Sequence, residues 1–186
     1  MLIDLTTKIT TDTIALALKD GNKALIGHWG THFDVMDKEF PLSYTSLMGI
    51  VFDVSGVQDR DIDCTDIDLS KVQSGMFVAF YSGFIENTGY ASEGYFSNHP
   101  QLSNELIEAL IKKKISIIGL DFAGVRRGKE HIPTDSYCAD NGVFVVENLC
   151  NLKSVLDISD SFKAYTFPIS LTDATGLMCR VVAEMK

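Results

Sequence analysis

Four short, almost unbroken apolar runs, Leu47–Val54, Met76–Tyr81, Ile115–Leu120 and Val143–Val146, constrain the fold of this chain more than any other feature. A strand buried on both faces reads this way, because neither face has to meet water. Asn104–Lys114 has helical spacing instead, with Leu106, Ile107, Leu110 and Ile111 on one face. Ser103 is placed to cap it, Glu105 and Glu108 sit early, and Lys112, Lys113 and Lys114 end it, in the sense the helix dipole favours. A second, shorter helix is predicted from Pro133 to just before Gly142. Strand, helix and strand in that order imply parallel neighbours joined by a crossover. Leu2–Leu5 reads as an opening strand, and Phe162–Ile169 with Leu177–Ala183 as a closing antiparallel pair. Asp68–Gly75 resembles a helical turn closed by glycine, while Thr13–Leu18 fits strand and helix equally. Ser82–Pro100, rich in Gly, Asn, Ser and aromatics, reads as a long surface loop and a candidate lid. The expected class is α/β, one domain over residues 1–186 with a mixed β-sheet and flanking helices.

With 186 residues, 46% of them hydrophobic, the chain can bury a core without disulfide staples. Its formal net charge of -9 argues against polyanionic partners, whether nucleic acid or an anionic membrane surface. Much of that charge lies in Asp59–Asp68, which lacks the glycine and terminal glutamate of a calcium-binding EF-hand loop and reads as a solvated loop. Cys64, Cys138, Cys150 and Cys179 form no C-x-x-C pair, the pattern of reduced thiols in a cytoplasmic protein. The chain opens without a charged-then-apolar leader, and no apolar run approaches the roughly 20 residues that span a bilayer. A cytoplasmic protein acting on a small molecule is the expectation.

The chemistry concentrates in Gly27–Asp34, GHWGTHFD, which puts His28, His32 and Asp34 within seven residues. In a straight strand the two histidines would stand about 13 Å apart, too far to share an ion. Gly30 between them allows a turn or bulge that would draw them together. Imidazole and carboxylate are the donors that zinc and similar divalent ions take. The residues alone leave two readings open, a metal site or hydrogen-bonded histidines in an aromatic strand. Glu147, at the carboxyl end of a buried strand, is a second candidate, because open α/β sheets place functional groups there. A glutamate turning to water is the plain alternative.

Taken together, these residues resemble the putative cyclase family, which contains bacterial kynurenine formamidases and isatin hydrolase. The family's H-x-G-T-H-x-D is matched by His28-Trp29-Gly30-Thr31-His32-Phe33-Asp34, and its E-N-L-x-N-L by Glu147-Asn148-Leu149-Cys150-Asn151-Leu152. Weaker likenesses lie in Leu2–Leu5, Gly75–Val78, Tyr81–Phe84 and Ile118–Asp121. The resemblance implies a swivelling β/β/α-type fold, a homo-oligomer (dimer or tetramer) and a divalent metal, two zinc ions in the formamidases and manganese in isatin hydrolase. It also implies His28, His32, Asp34 and Glu147 as ligands. The formamidases add a ligand histidine twelve residues before the glutamate, where this chain has Asp135. Aspartate keeps a donor there, shorter and negatively charged, which favours a harder ion such as manganese or magnesium. His131, one helical turn earlier, could substitute, against its plainer reading as an exposed loop histidine. The family continues H-x-D-x-P-x-H, its last histidine shuttling protons, whereas Met36 and Lys38 occupy the last two of those fixed positions here.

The reading that follows is a metal-dependent hydrolase of a small amide or cyclic amide. Glu147 and Asp34 would hold the ion and orient water. Lys38, its pKa pulled down beside a dication, would move a proton or stabilise an oxyanion. Trp29, Phe33 and aromatics between Tyr81 and Tyr95 would wall a pocket for a flat substrate, or be plain core. The alternative is a divergent metal-binding protein that holds a small ligand without turnover; a metal-assisted lyase or cyclase is third.

Overall fold

The computed structural model describes residues 1–11 and 26–186, so the ambiguous segment Thr13–Leu18 lies outside the described residues. The apolar runs are strands: β1 (Leu2–Asp4), β2 (His32–Asp34), β3 (Ser46–Asp53), β4 (Phe77–Tyr81), β5 (Ile117–Leu120), β6 (Phe144–Glu147), β7 (Ser161–Pro168) and β8 (Gly176–Glu184). Among them lie the helices α1 (Phe84–Thr88), α2 (Tyr95–Asn98), α3 (Asn104–Lys112), α4 (His131–Asp140) and α5 (Leu152–Leu156). The sheet order is β1-β8-β2-β6-β5-β4-β3-β7, and β7 pairs again with β8, closing the sheet into a barrel. Strands β3, β4, β5 and β6 run parallel, while β2, β7 and β8 join antiparallel. The α/β class with a mixed sheet is therefore as expected, as is the antiparallel closing pair.

Unbroken apolarity follows from burial on both faces of the parallel strands. Phe77, Ala79 and Tyr81 of β4 point into one core with Phe33, Phe144, Val146 and Val181, inside the barrel. Val78 and Phe80, alternating with them, pack outward against Leu106, Ile107 and Leu110 of α3. Each such side chain contributes about 1.5–3 kcal/mol relative to exposure. Helix α3 begins as read, with the Ser103 hydroxyl accepting from the Leu106 N–H at 3.1 Å.

Two expectations need correction. Ser82–Pro100 is not a surface loop: it carries α1 and α2, and Tyr95 is 0% exposed. Its aromatics pack on one another, Tyr95 within 5.4 Å of both Phe84 and Tyr90 between ring centroids, and this burial outweighs the loop-like composition. Helix α4 starts at His131, before Pro133. A proline is tolerated in the first turn, where its missing N–H has no helical partner to lose. The acidic run is a loop, pinned at buried Ile62, whose N–H donates to the Gln101 carbonyl, and by an Asp61–Arg126 ion pair at 2.6 Å. All four cysteines are free thiols, and no helix among the described residues is long and apolar enough to cross a membrane.

Phe77 meets Phe162 edge-on at 5.8 Å and is fully enclosed. Phe77→Ala is expected to lower stability by about 3–5 kcal/mol, read as a fall in the denaturant midpoint at constant slope.

Candidate metal centre

The pairing of β2 with β6 builds the site. Its register sets His32 directly opposite Glu147 and Asp34 opposite Val145. Phe33, between them, goes to the barrel core at 0% exposure, so it walls no pocket. The ring of His32 is aimed by its own chain: Nδ1 lies 2.9 Å from the Gly30 carbonyl, which can only accept, so the proton sits there and Nε2 is left as a donor atom for an ion. That nitrogen lies 3.5 Å from Glu147 Oε2 and 3.7 Å from Asp34 Oδ1.

Gly30 does what the spacing asked of it. At φ 61° it turns the chain, and the two histidine rings stand 4.9 Å apart between centroids instead of a strand's length. His28 Nδ1 then lies 3.1 Å from Asp34 Oδ1. Asn148 braces the turn from across the sheet. In the left-handed conformation (φ 58°), it donates through Nδ2 to the Gly30 carbonyl at 2.9 Å, and its Oδ1 accepts from the Tyr95 hydroxyl at 2.8 Å. Its carbonyl accepts from the Thr31 hydroxyl at 2.8 Å.

Helix α4 supplies the other half. His131 and Asp135, at i and i+4, share one helix face, with Nε2 3.4 Å from Oδ2. The His131 Nδ1–H donates to the Arg126 carbonyl at 3.1 Å, again leaving Nε2 toward the carboxylates. Donor atoms of His28, His32 and Asp34 lie within 4.8 Å of one another, and so do those of Asp34, His131 and Asp135. Asp34 belongs to both sets. The structure thus brings together His28, His32, Asp34, Glu147 and Asp135, and adds His131, which is not a loop histidine but the first residue of a helix. The i, i+4 spacing of His131 and Asp135 was the available signal for it.

Asp34 and Asp135 are each 2% exposed and Glu147 4%, and Asp34 Oδ2, Asp135 Oδ1 and Glu147 Oε1 have no hydrogen-bond partner among the described residues. Burial, then the charges of Asp34 and Asp135, push the Glu147 carboxyl well above the ordinary range; burial and Asp34 do the same to Asp135. Burial presses Asp34 upward as well, but the His28 hydrogen bond and the neighbouring imidazoles bring it below its usual value. Burial lowers His32, keeping the ring neutral and its lone pair available. Crowded, buried carboxylate oxygens beside imidazole nitrogens fit a divalent cation.

Lys38 is placed among other carboxylates. Its Nζ lies 2.8 Å from Asp140 and 2.9 Å from Asp37, and these hydrogen bonds raise its pKa, opposite to the expected depression. Met36 explains the route: its φ of 56° is one that proline cannot adopt, so the chain after Asp34 turns differently from a D-x-P segment. Trp29 is half-buried, and its indole N–H has no partner among the described residues.

A family profile described as "Putative cyclase" matches residues 3–126. No curated protein matches the chain. Among solved structures, the fold is similar to a "Potential Metal-Dependent Hydrolase With Cyclase Activity", with TM-score 0.74 and 21% identity over 98% of this chain and 96% of that one. A "predicted metal-dependent hydrolase from Bacillus stearothermophilus" gives TM-score 0.74 and 21% identity, covering 98% and 97%. Isatin hydrolase A from Labrenzia aggregata, bound to benzyl benzoate, gives 0.76 and 18%, covering 98% and 93%. At these identities the likeness is one of fold.

Because the folded pKa of Glu147 is raised above its ordinary 4.5, the stability linked to its proton is present below 4.5 and lost as pH rises through the folded value. Glu147→Gln carries no such loss. In chelator, thermal melting between about pH 4 and 8 is expected to show the variant gaining on the native protein as pH rises.

Proposed function

From membership of the putative cyclase family, to which this chain belongs, we propose that the protein is a divalent-cation-dependent hydrolase of a small amide or cyclic amide. The observation that carries the reading is the convergence of imidazoles and buried carboxylates on Asp34, with three carboxylate oxygens that have no partner among the described residues. His28, His32, Asp34, Asp135 and Glu147 are the proposed ligands, joined by His131. The sharing of Asp34 between two donor sets supports two neighbouring cations. The mixture of imidazole and carboxylate suits zinc or manganese. A divalent cation bound there supplies Lewis acidity, polarising a carbonyl and acidifying water.

The chain's own groups do the rest. His32, locked by its bond to the Gly30 carbonyl, holds its place without rearrangement. Glu147, ionised once a cation offsets its burial, takes the proton of the attacking water through Oε1, which has no partner among the described residues, as the new C–O bond forms. The same proton goes to the departing nitrogen as the C–N bond breaks. Lys38, held as an ammonium by Asp37 and Asp140, has no part in this. The fold likeness to isatin hydrolase supports a cyclic amide as the first substrate to try, and a homo-oligomer, read by light scattering, completes the proposal.

An N-formyl arylamine or an isatin-type lactam is expected to react with zinc or manganese present, to stop reacting in chelator, and to react again when cation is restored. His32→Ala is expected to lower kcat/KM by about 100-fold or more. Lys38→Met should change it by less than about threefold, since its ion pairs are half-exposed. Stoichiometric binding of a cation and a small acid with no amide turned over would replace this reading with that of a ligand-binding protein.

A further inference from the structure

The ring of His28 is seated by a segment almost at the other end of the chain. It rests on the backbone of Gly176, where an added Cβ would lie 2.6 Å from Cδ2 and Nε2 and 2.7 Å from Cε1. Gly176 is also the residue paired with Asp34 across β2 and β8. A bare backbone opposite Asp34 is what allows the imidazole to fold over onto that carboxylate. Thr175, the preceding residue, faces the other ring nitrogen, with Oγ1 2.9 Å from Nε2. Its carbonyl accepts from the N–H groups of Val35 and Met36 at 2.9 and 3.0 Å, fixing the hydroxyl relative to β2. The two backbones also run close together, so that a Cβ at Gly27 would overlap the Gly176 carbonyl oxygen.

We propose that Thr175 and Gly176 are positioning residues for the cation site, with Gly176 giving the His28 ring its place and Thr175 receiving the Nε2 proton when Nδ1 serves as a ligand atom. The inference rests on the reading of the cluster as a cation site. An imidazole offers a lone pair from one nitrogen only when its proton sits on the other. Nδ1 faces Asp34, a pure acceptor, and donates to it when no cation is bound; a cation taking the Nδ1 lone pair moves the proton to Nε2, where Thr175 Oγ1, able to donate or to accept, receives it. Hydrogen bonds of this kind orient ligand imidazoles and raise their basicity. Water can partly replace the hydroxyl, because Thr175 is exposed, so its loss has the smaller effect. A methyl group at 176 moves the ring bodily. Gly176 does not have a left-handed φ, so alanine there adds a clash without backbone strain.

The test is a calorimetric titration with Co2+, with the visible spectrum recorded, on the native protein and on Thr175→Val, Thr175→Ser and Gly176→Ala. The Kd for Co2+ is expected to rise about tenfold in Thr175→Val and return toward the native value in Thr175→Ser. Gly176→Ala is expected to lose more affinity and to shift the cobalt bands, while all four proteins melt alike in chelator. Unchanged affinity and spectrum in both Thr175→Val and Gly176→Ala would overturn the seat and leave the cation site standing. A native protein that takes up no Co2+ would remove the cation site itself, and this inference with it. Should Gly176→Ala fail to fold, the valine and serine pair decides.

Discussion

The antiparallel pairing of β2 with β6 is the constraint from which the centre follows, because it sets His32 against Glu147. Side chains alternate along a strand, so a slip of one residue would send His32 and Asp34 into the barrel core and turn Phe33 out. The apolar core inside the barrel therefore holds the register that the polar face needs. Burial of Phe33 and the aim of His32 are two results of one alignment.

That alignment brings an electrostatic burden. Asp34, Asp135 and Glu147 are enclosed together, and two of the three are pushed toward their protonated forms. Among the described residues no lysine or arginine reaches them; Arg126 is taken up by Asp61 and Glu130, and Lys38 by Asp37 and Asp140. A core built only for stability would place apolar groups there. Acids left under such pressure are a common mark of a site shaped for a ligand.

Much of the frame was legible because burial on both faces leaves an apolar run that can be read without knowing the partners. The H-x-G-T-H-x-D and E-N-L-x-N-L motifs were equally plain, and Gly30 told of the turn between the histidines. What could not be read depends on contacts distant in sequence. Tyr95 looked like part of a loop because the stretch around it is rich in Gly, Asn and Ser, while its burial comes from Phe84, Tyr90 and Asn148. Lys38 looked like a substitute for a shuttle because position was the only guide. The left-handed Met36 and the carboxylate of Asp140 decide where it goes. Thr175 carries no local pattern at all.

Strand β2 is three residues long, and both its neighbours, β6 and β8, come from far along the chain; the Thr31–Asn148 hydrogen bond beside it spans 117 positions. Closing so long a loop gives up chain entropy before any contact compensates for it. The first half of the polypeptide can therefore emerge during synthesis with its two histidines but no place to set them. Capture of a cation at the proposed centre would come late in assembly, after β6 and β8 have been made, and would not seed the barrel.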